Sequence, residues 1–128
     1  MKLFEQYQFQ PFVKETIQEL NFKSPTNIQK SVIPLVYKYI DVIGISQTGT
    51  GKTHAFLIPI MDMIDVEKDC VQAVITAPTR ELASQIYEHA KLFVKHNPDL
   101  KVSLIIPKAI FDVSADWINW GKKIIFFS

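Results

Sequence analysis

Eight consecutive residues, Ser46-Gln47-Thr48-Gly49-Thr50-Gly51-Lys52-Thr53, hold the most specific chemistry in the chain. Gly49 and Gly51 let the backbone turn inward, so that successive N–H groups can point at the oxygens of a polyanion. Lys52 would reach β- and γ-phosphates, and the Thr53 hydroxyl would ligate Mg²⁺. A helical pattern begins near Lys52, and its N-terminus adds partial positive charge at the same place. The strict pattern G-x-x-x-x-G-K-[ST] asks for glycine where this chain has Ser46, a departure that a small residue tolerates. A plain glycine turn with a solvated lysine would share these residue types. It would not need to lie between an apolar strand and a helix, which is where this segment lies.

Two further segments carry unusual residues. Pro78-Thr79-Arg80-Glu81-Leu82-Ala83 contains Arg80, the only arginine among fourteen basic residues. Arginine's planar fork suits bidentate phosphate recognition in a way that lysine does not. Thr79 and Arg80 fall where a strand gives way to a helix, so N–H groups there can face a phosphate. A capped helix with an ordinary Arg–carboxylate surface pair is the plainer reading. Upstream, Asn21-Phe22-Lys23-Ser24-Pro25-Thr26-Asn27-Ile28-Gln29 places an aromatic, a hydroxyl and an amide close together. Taken alone, that stretch reads as core residues Phe22 and Ile28 beside a surface amide, Gln29.

The elements that must position these residues follow from hydrophobic periodicity. Pro11 to Leu20 predicts a helix, with Pro11 at its first position and Phe12, Val13, Ile17 and Leu20 on one face. Ser24 or Thr26 can cap the next helix, which carries Ile28, Val32, Leu35 and Val36 and which Pro34 kinks or splits. Val42 to Ile45 is a short apolar run fit for a buried strand. Leu57, Ile60, Met61 and Ile64 mark a helix after the glycine loop, locally weakened by Pro59. A strand over Val71 to Ile75, a helix over Leu82 to Val94 and a strand over Val102 to Ile106 follow. Phe111 to Trp120 reads as helical, and Lys122 to Phe127 as a last strand. Strand–helix–strand alternation at these lengths predicts an α/β fold with a parallel sheet flanked by helices.

Composition narrows the function classes. With 128 residues the chain has the length of one domain, against about 100–200 residues per domain. Fourteen Lys and Arg against thirteen Asp and Glu give a net charge of +1, so any nucleic-acid face must be local. Cys70 stands alone, excluding an internal disulfide and a cysteine-rich metal site. His54, His89 and His96 show no ligand spacing. The first residues are interrupted by charge before a signal-peptide core could form, and no apolar run approaches the ~18 residues of a membrane span. The expectation is a cytoplasmic protein with no membrane partner.

Taken together and in this order, the three segments resemble the first RecA-like domain of DEAD-box ATP-dependent RNA helicases. The resemblance covers Phe4 to about Ile106. It implies a P-loop NTPase (RecA-like) fold, ATP and Mg as cofactors, and RNA gripped through its backbone without sequence preference. By the same resemblance, Gln29 reads the adenine edge, Phe22 stacks near the base, Thr26 supports the phosphate loop and Phe4 is the isolated upstream aromatic. Ser46 through Thr53 hold the phosphates, and Pro78, Thr79, Arg80 and Glu81 contact RNA. The family usually has glycine where Asn21 stands, and asparagine tolerates a left-handed turn.

Past Ile106 the pattern departs. Pro107-Lys108 stands where the resemblance implies two glycines. The Asp-Glu-Ala-Asp and Ser-Ala-Thr motifs are absent from the sequence. Asp62, Asp65, Asp112 and Asp116 do not follow an apolar strand as a metal-binding acid should. The organisation expected is therefore residues 1–39 as a region of N-terminal helices with the glutamine motif, 40–106 as RecA-like core, and 107–128 as a divergent or truncated tail. The fold is expected to be incomplete, an N-terminal fragment that binds nucleotide weakly and neither hydrolyses it nor unwinds RNA. A non-catalytic adenine-nucleotide-binding module, or another P-loop NTPase, is the alternative.

Overall fold

The computed structural model of the chain describes residues 3–49 and 51–104, and the backbone of 105 and 124–127. The predicted helix over Phe111 to Trp120 and the departure at Pro107-Lys108 lie outside the described residues, as does Thr50. The chain divides into two compact units, Met1–Met63 and Ile64–Ser128.

The first unit is helical. A 3-10 turn over Phe4–Gln6 precedes α1 (Pro11–Glu19), α2 (Asn27–Tyr37) and α3 (Lys52–Met63). Pro11 opens α1, where a missing N–H costs nothing, and Phe12, Val13, Thr16 and Ile17 form its buried face. The helix ends in a Schellman motif. Phe22 N–H donates to the Ile17 carbonyl at 3.2 Å and Asn21 N–H to that of Gln18 at 3.0 Å, with Asn21 left-handed at φ 58°. The turn expected of Asn21 is therefore present.

Helix α2 starts at a Thr26 cap and runs unbroken through Pro34, which neither splits it nor ends it. Pro34 lies on the exposed side, where the carbonyl it leaves without an N–H partner can be hydrated. A second Schellman motif closes this helix. Ile40 N–H donates to Leu35 at 3.1 Å and Tyr39 N–H to Val36 at 3.0 Å, and here a tyrosine occupies the left-handed position, also at φ 58°. Helix α3 likewise continues through the fully buried Pro59. Its buried residues, His54, Ala55, Leu57, Ile58 and Met61, surround much of the helix, so it forms the centre of the unit. Ile58 is wholly buried while the predicted Ile60 is only half-buried.

Val42 to Ile45 does not form the predicted strand. No ladder pairs with it among the described residues, and Ile43 and Ile45 are 90% and 88% exposed. An apolar run needs a neighbouring strand to become one, because its N–H and C=O groups must be paired laterally. Gly44 instead rests against α2, where an added Cβ would stand 3.3 Å from Ile28 Cδ1.

The second unit carries the sheet. Strands β1 (Ala73–Thr76), β2 (Val102–Ile105) and β3 (Ile124–Phe127) are all parallel, with β3 in the middle. Val74 pairs with Ile125 and Ser103 with the same residue from the other side. The strand predicted over Val71 to Ile75 begins two residues later, and the Gln72 side chain before it bonds to the Asp65 backbone. Its amide accepts from Asp65 N–H at 3.0 Å and donates to the Asp65 carbonyl at 2.8 Å. Helix α4 (Arg80–His96) packs on β2 and β3 and buries Ala83, Ile86, Ala90 and Phe93 along one stripe. Glu81 in its first turn and Lys95 and His96 in its last suit the helix dipole.

Candidate phosphate and base site

The glycine loop has the backbone its residues imply. Gly49 and Gly51 sit at φ +83° and +85°, the left-handed region where glycine has no steric penalty. Gln47, Thr48 and Gly49 are exposed, and Ser46 and Thr53 half-buried. Lys52 Nζ donates to the Ser46 carbonyl at 2.8 Å, so the cation reaches back across the loop mouth. The Gly51 carbonyl accepts from Ala55 N–H at 3.1 Å and begins the α3 ladder.

The Thr26–Gln29 pair forms a capping box. Gln29 Oε1 accepts from Thr26 N–H at 2.9 Å, and Thr26 Oγ1 accepts from Gln29 N–H at 3.4 Å. Gln29 is no surface amide: it is 3% exposed, and its Nε2 donates to the Gly51 carbonyl at 3.2 Å. The amide thus joins the start of α2 to the glycine loop. Gly51 must be glycine here on a second count, since a Cβ would overlap the Gln29 amide nitrogen and come within 3.3 Å of Thr26 Oγ1.

Phe22 and Phe4 lie together. Phe4 N–H donates to the Lys23 carbonyl at 2.9 Å, Phe4 is buried, and the two rings lie 6.2 Å apart at 28°. His54, from the first turns of α3, presents its ring at 88° to Phe22 with centroids 5.1 Å apart. An open groove of about 600 Å³ runs beside these rings, lined among others by Phe4, Lys14, Phe22 and Lys23. Gln29 and the glycine loop are not among its walls, so Phe22 borders the groove while Gln29 faces the loop.

At the other end of the same helices, Asp62 is engaged structurally. Its Oδ1 accepts from Gln10 N–H at 2.7 Å and its Oδ2 from the Tyr37 hydroxyl at 2.5 Å; Gln10 Nε2 donates to the Asp62 carbonyl at 2.5 Å. Burial, then the hydrogen bond and charge of Asp62, push the Tyr37 phenol well above its ordinary value, so it remains a donor. No periodicity or spacing marks Tyr37, Asp62 or His54 in the sequence. Among the described residues no group of three His, Cys, Asp or Glu side chains could hold a metal by itself.

In the second unit, Thr79 caps α4. Its Oγ1 accepts from Leu82 N–H at 3.1 Å and its carbonyl from Ala83 N–H at 3.1 Å. Pro78, Thr79, Arg80 and Glu81 are all exposed, and Arg80 makes no ion pair with another described residue. The guanidinium and the first free N–H groups of α4 therefore share one accessible helix start.

Comparison with known proteins identifies the family. Residues 26–125 match the DEAD/DEAH box helicase family. The DEAD-box ATP-dependent RNA helicase CshB of Bacillus subtilis is 59% identical over 87 residues, which cover 68% of this chain and 20% of CshB. The chain thus spans about a fifth of that relative's length. The crystal structure of a DEAD box protein from the hyperthermophile Methanococcus jannaschii superposes on 99% of this chain and 35% of its own, with a TM-score of 0.84 and 28% identity. S. cerevisiae Dbp5 bound to RNA and ADP–BeF3 covers the whole of this chain with 32% of its own, at a TM-score of 0.79 and 28% identity. No described helix is long and apolar enough to cross a membrane. A left-handed glycine pair, an amide seated against it, a capped helix start with a lone arginine, and the match over residues 26–125 converge on one conclusion: the chain belongs to the DEAD/DEAH box helicase family.

Proposed function

We propose that this chain forms the adenine-nucleotide grip and part of the RNA grip of an ATP-dependent RNA helicase, and that alone it binds nucleotide without turning it over. The observation that carries the reading is the seating of Gln29. Its Oε1 and Nε2 each use one hydrogen-bonding position, on Thr26 N–H and the Gly51 carbonyl. A side-chain amide has two lone pairs on oxygen and two N–H donors. One acceptor and one donor remain for a base that displaces the cover over this amide, which is 3% exposed, and the two existing bonds fix which is which. Adenine presents an N6 donor beside an N7 acceptor and matches this pair; guanine presents two acceptors and does not.

The remaining roles follow from position. Phe22, braced by Phe4 and His54, offers a ring face for the base. Backbone N–H groups of Ser46 to Gly51, with Lys52, hold the phosphates once Lys52 exchanges the Ser46 carbonyl for phosphate oxygen. Thr53, in the first turn of α3 and half-buried, fits a hydroxyl ligand to a nucleotide-bound Mg²⁺, which would neutralise phosphate charge. Thr79, Arg80 and the start of α4 suit one RNA phosphate, with Pro78 and Glu81 flanking it.

Turnover needs an acid for the metal and a group to orient water. Asp62 is committed to Gln10 and Tyr37, so it does not serve. Calorimetric titration with ATP and GTP tests the reading. ATP is preferred by the chain, and Gln29→Ala abolishes the preference. A magnesium-dependent ATPase lost on Lys52→Ala would overturn the non-hydrolytic part.

A further inference from the structure

We propose that Tyr37 and Asp62 are positioning residues for base recognition, holding α2 in register along α3 so that the Gln29 amide stays aimed beside the phosphate loop. This inference rests on the base-reading role of Gln29 given above.

The two helices touch at both ends. Gln29, in the first turn of α2, bonds to Gly51 at the start of α3. Tyr37, the last residue of α2, bonds to Asp62 in the last turn of α3. The helices are therefore parallel, pinned at points about 12 Å apart along α2. A single pin at the loop would allow α2 to slide or roll; two pins fix its register. Asp62 is itself oriented, because its second oxygen takes the Gln10 N–H while Gln10 Nε2 holds its backbone carbonyl. The start of α1 thus steadies the carboxylate that steadies Tyr37.

The division of labour between the helices makes the effect specific. The residues that would meet phosphate, Gly51, Lys52 and Thr53, lie at or in the first turn of α3. The amide that would meet the base lies on α2. Loosening the far pin lets Gln29 drift relative to the loop and leaves the phosphate contacts on α3 intact. Loss of base discrimination without loss of phosphate affinity separates positioning from general weakening.

The test is calorimetric titration of the whole chain with ATP and with GTP. Tyr37→Phe lowers ATP affinity about fivefold, equivalent to about 1 kcal/mol, and leaves GTP affinity unchanged. In a Gln29→Ala background, Tyr37→Phe changes neither affinity. Equal losses for both nucleotides, an unchanged ATP preference, or the same loss with Gln29 already removed each overturn the inference. If Tyr37→Phe fails to fold, Asp62→Asn keeps the volume and one acceptor; a smaller loss of ATP preference supports the inference and none overturns it. A wild-type chain without ATP preference overturns the base-reading role and this inference together. A wild-type preference untouched by either variant overturns this inference alone.

Discussion

Gly51→Ala probes the junction between the glycine loop and Gln29, at a cost set by its backbone and its contacts. The residue sits at φ +85°, where an L side chain costs about 1–2 kcal/mol. The new Cβ would overlap the Gln29 amide nitrogen and lie 3.2 Å from Gln29 Cδ. Gln29 is 3% exposed, so the amide has no solvent to retreat into and must give up its bond to the Gly51 carbonyl, about 1 kcal/mol. Stiffening the unfolded chain returns about 0.4–1 kcal/mol. The net loss is about 2 kcal/mol. Gly49→Ala supplies the control, since φ is +83° but no atom lies within 4 Å of its Cβ. It bears the backbone cost alone, so the two variants should differ by about 1 kcal/mol. Urea unfolding of both measures that difference. Equal midpoints would refute the contact between Gln29 and the loop as a source of stability.

Other positions test the local architecture. Tyr39 is 84% exposed and left-handed at φ 58°, so Tyr39→Gly removes backbone strain at little contact cost and should raise stability by up to about 1 kcal/mol; a lower urea midpoint would contradict the Schellman assignment. Thr79→Ala removes the α4 cap and should cost about 1 kcal/mol, whereas Thr79→Ser should restore most of it, both read from thermal unfolding.

The residues also show what a sequence can and cannot disclose. Helix α4 was legible because its buried stripe repeats at helical spacing, whereas two hydroxyls, Ser24 and Thr26, could equally cap α2 by residue type and the structure uses Thr26. The left-handed turn at Asn21 was legible because the resemblance implies glycine there and asparagine tolerates that backbone; the identical turn at Tyr39 was not, since nothing about tyrosine favours it. Val42 to Ile45 misled because hydrophobicity reports a wish for burial, whereas a strand is a relation between two segments. The glycine loop and Gln29 were recognisable as a set, but the bond from Gln29 to Gly51 spans 22 residues and that from Tyr37 to Asp62 spans 25. Such contacts depend on how α2 lies on α3, which no local pattern encodes.

The parallel alignment of α2 and α3 has an electrostatic consequence. Antiparallel neighbours cancel their dipoles; these two bring their positive ends together beside Gly51. Each end carries roughly half an elementary charge, so the two ends repel one another slightly at the loop. A polyphosphate placed there would relieve that repulsion in both helices at once, and binding would raise the folding stability of the unit that binds it.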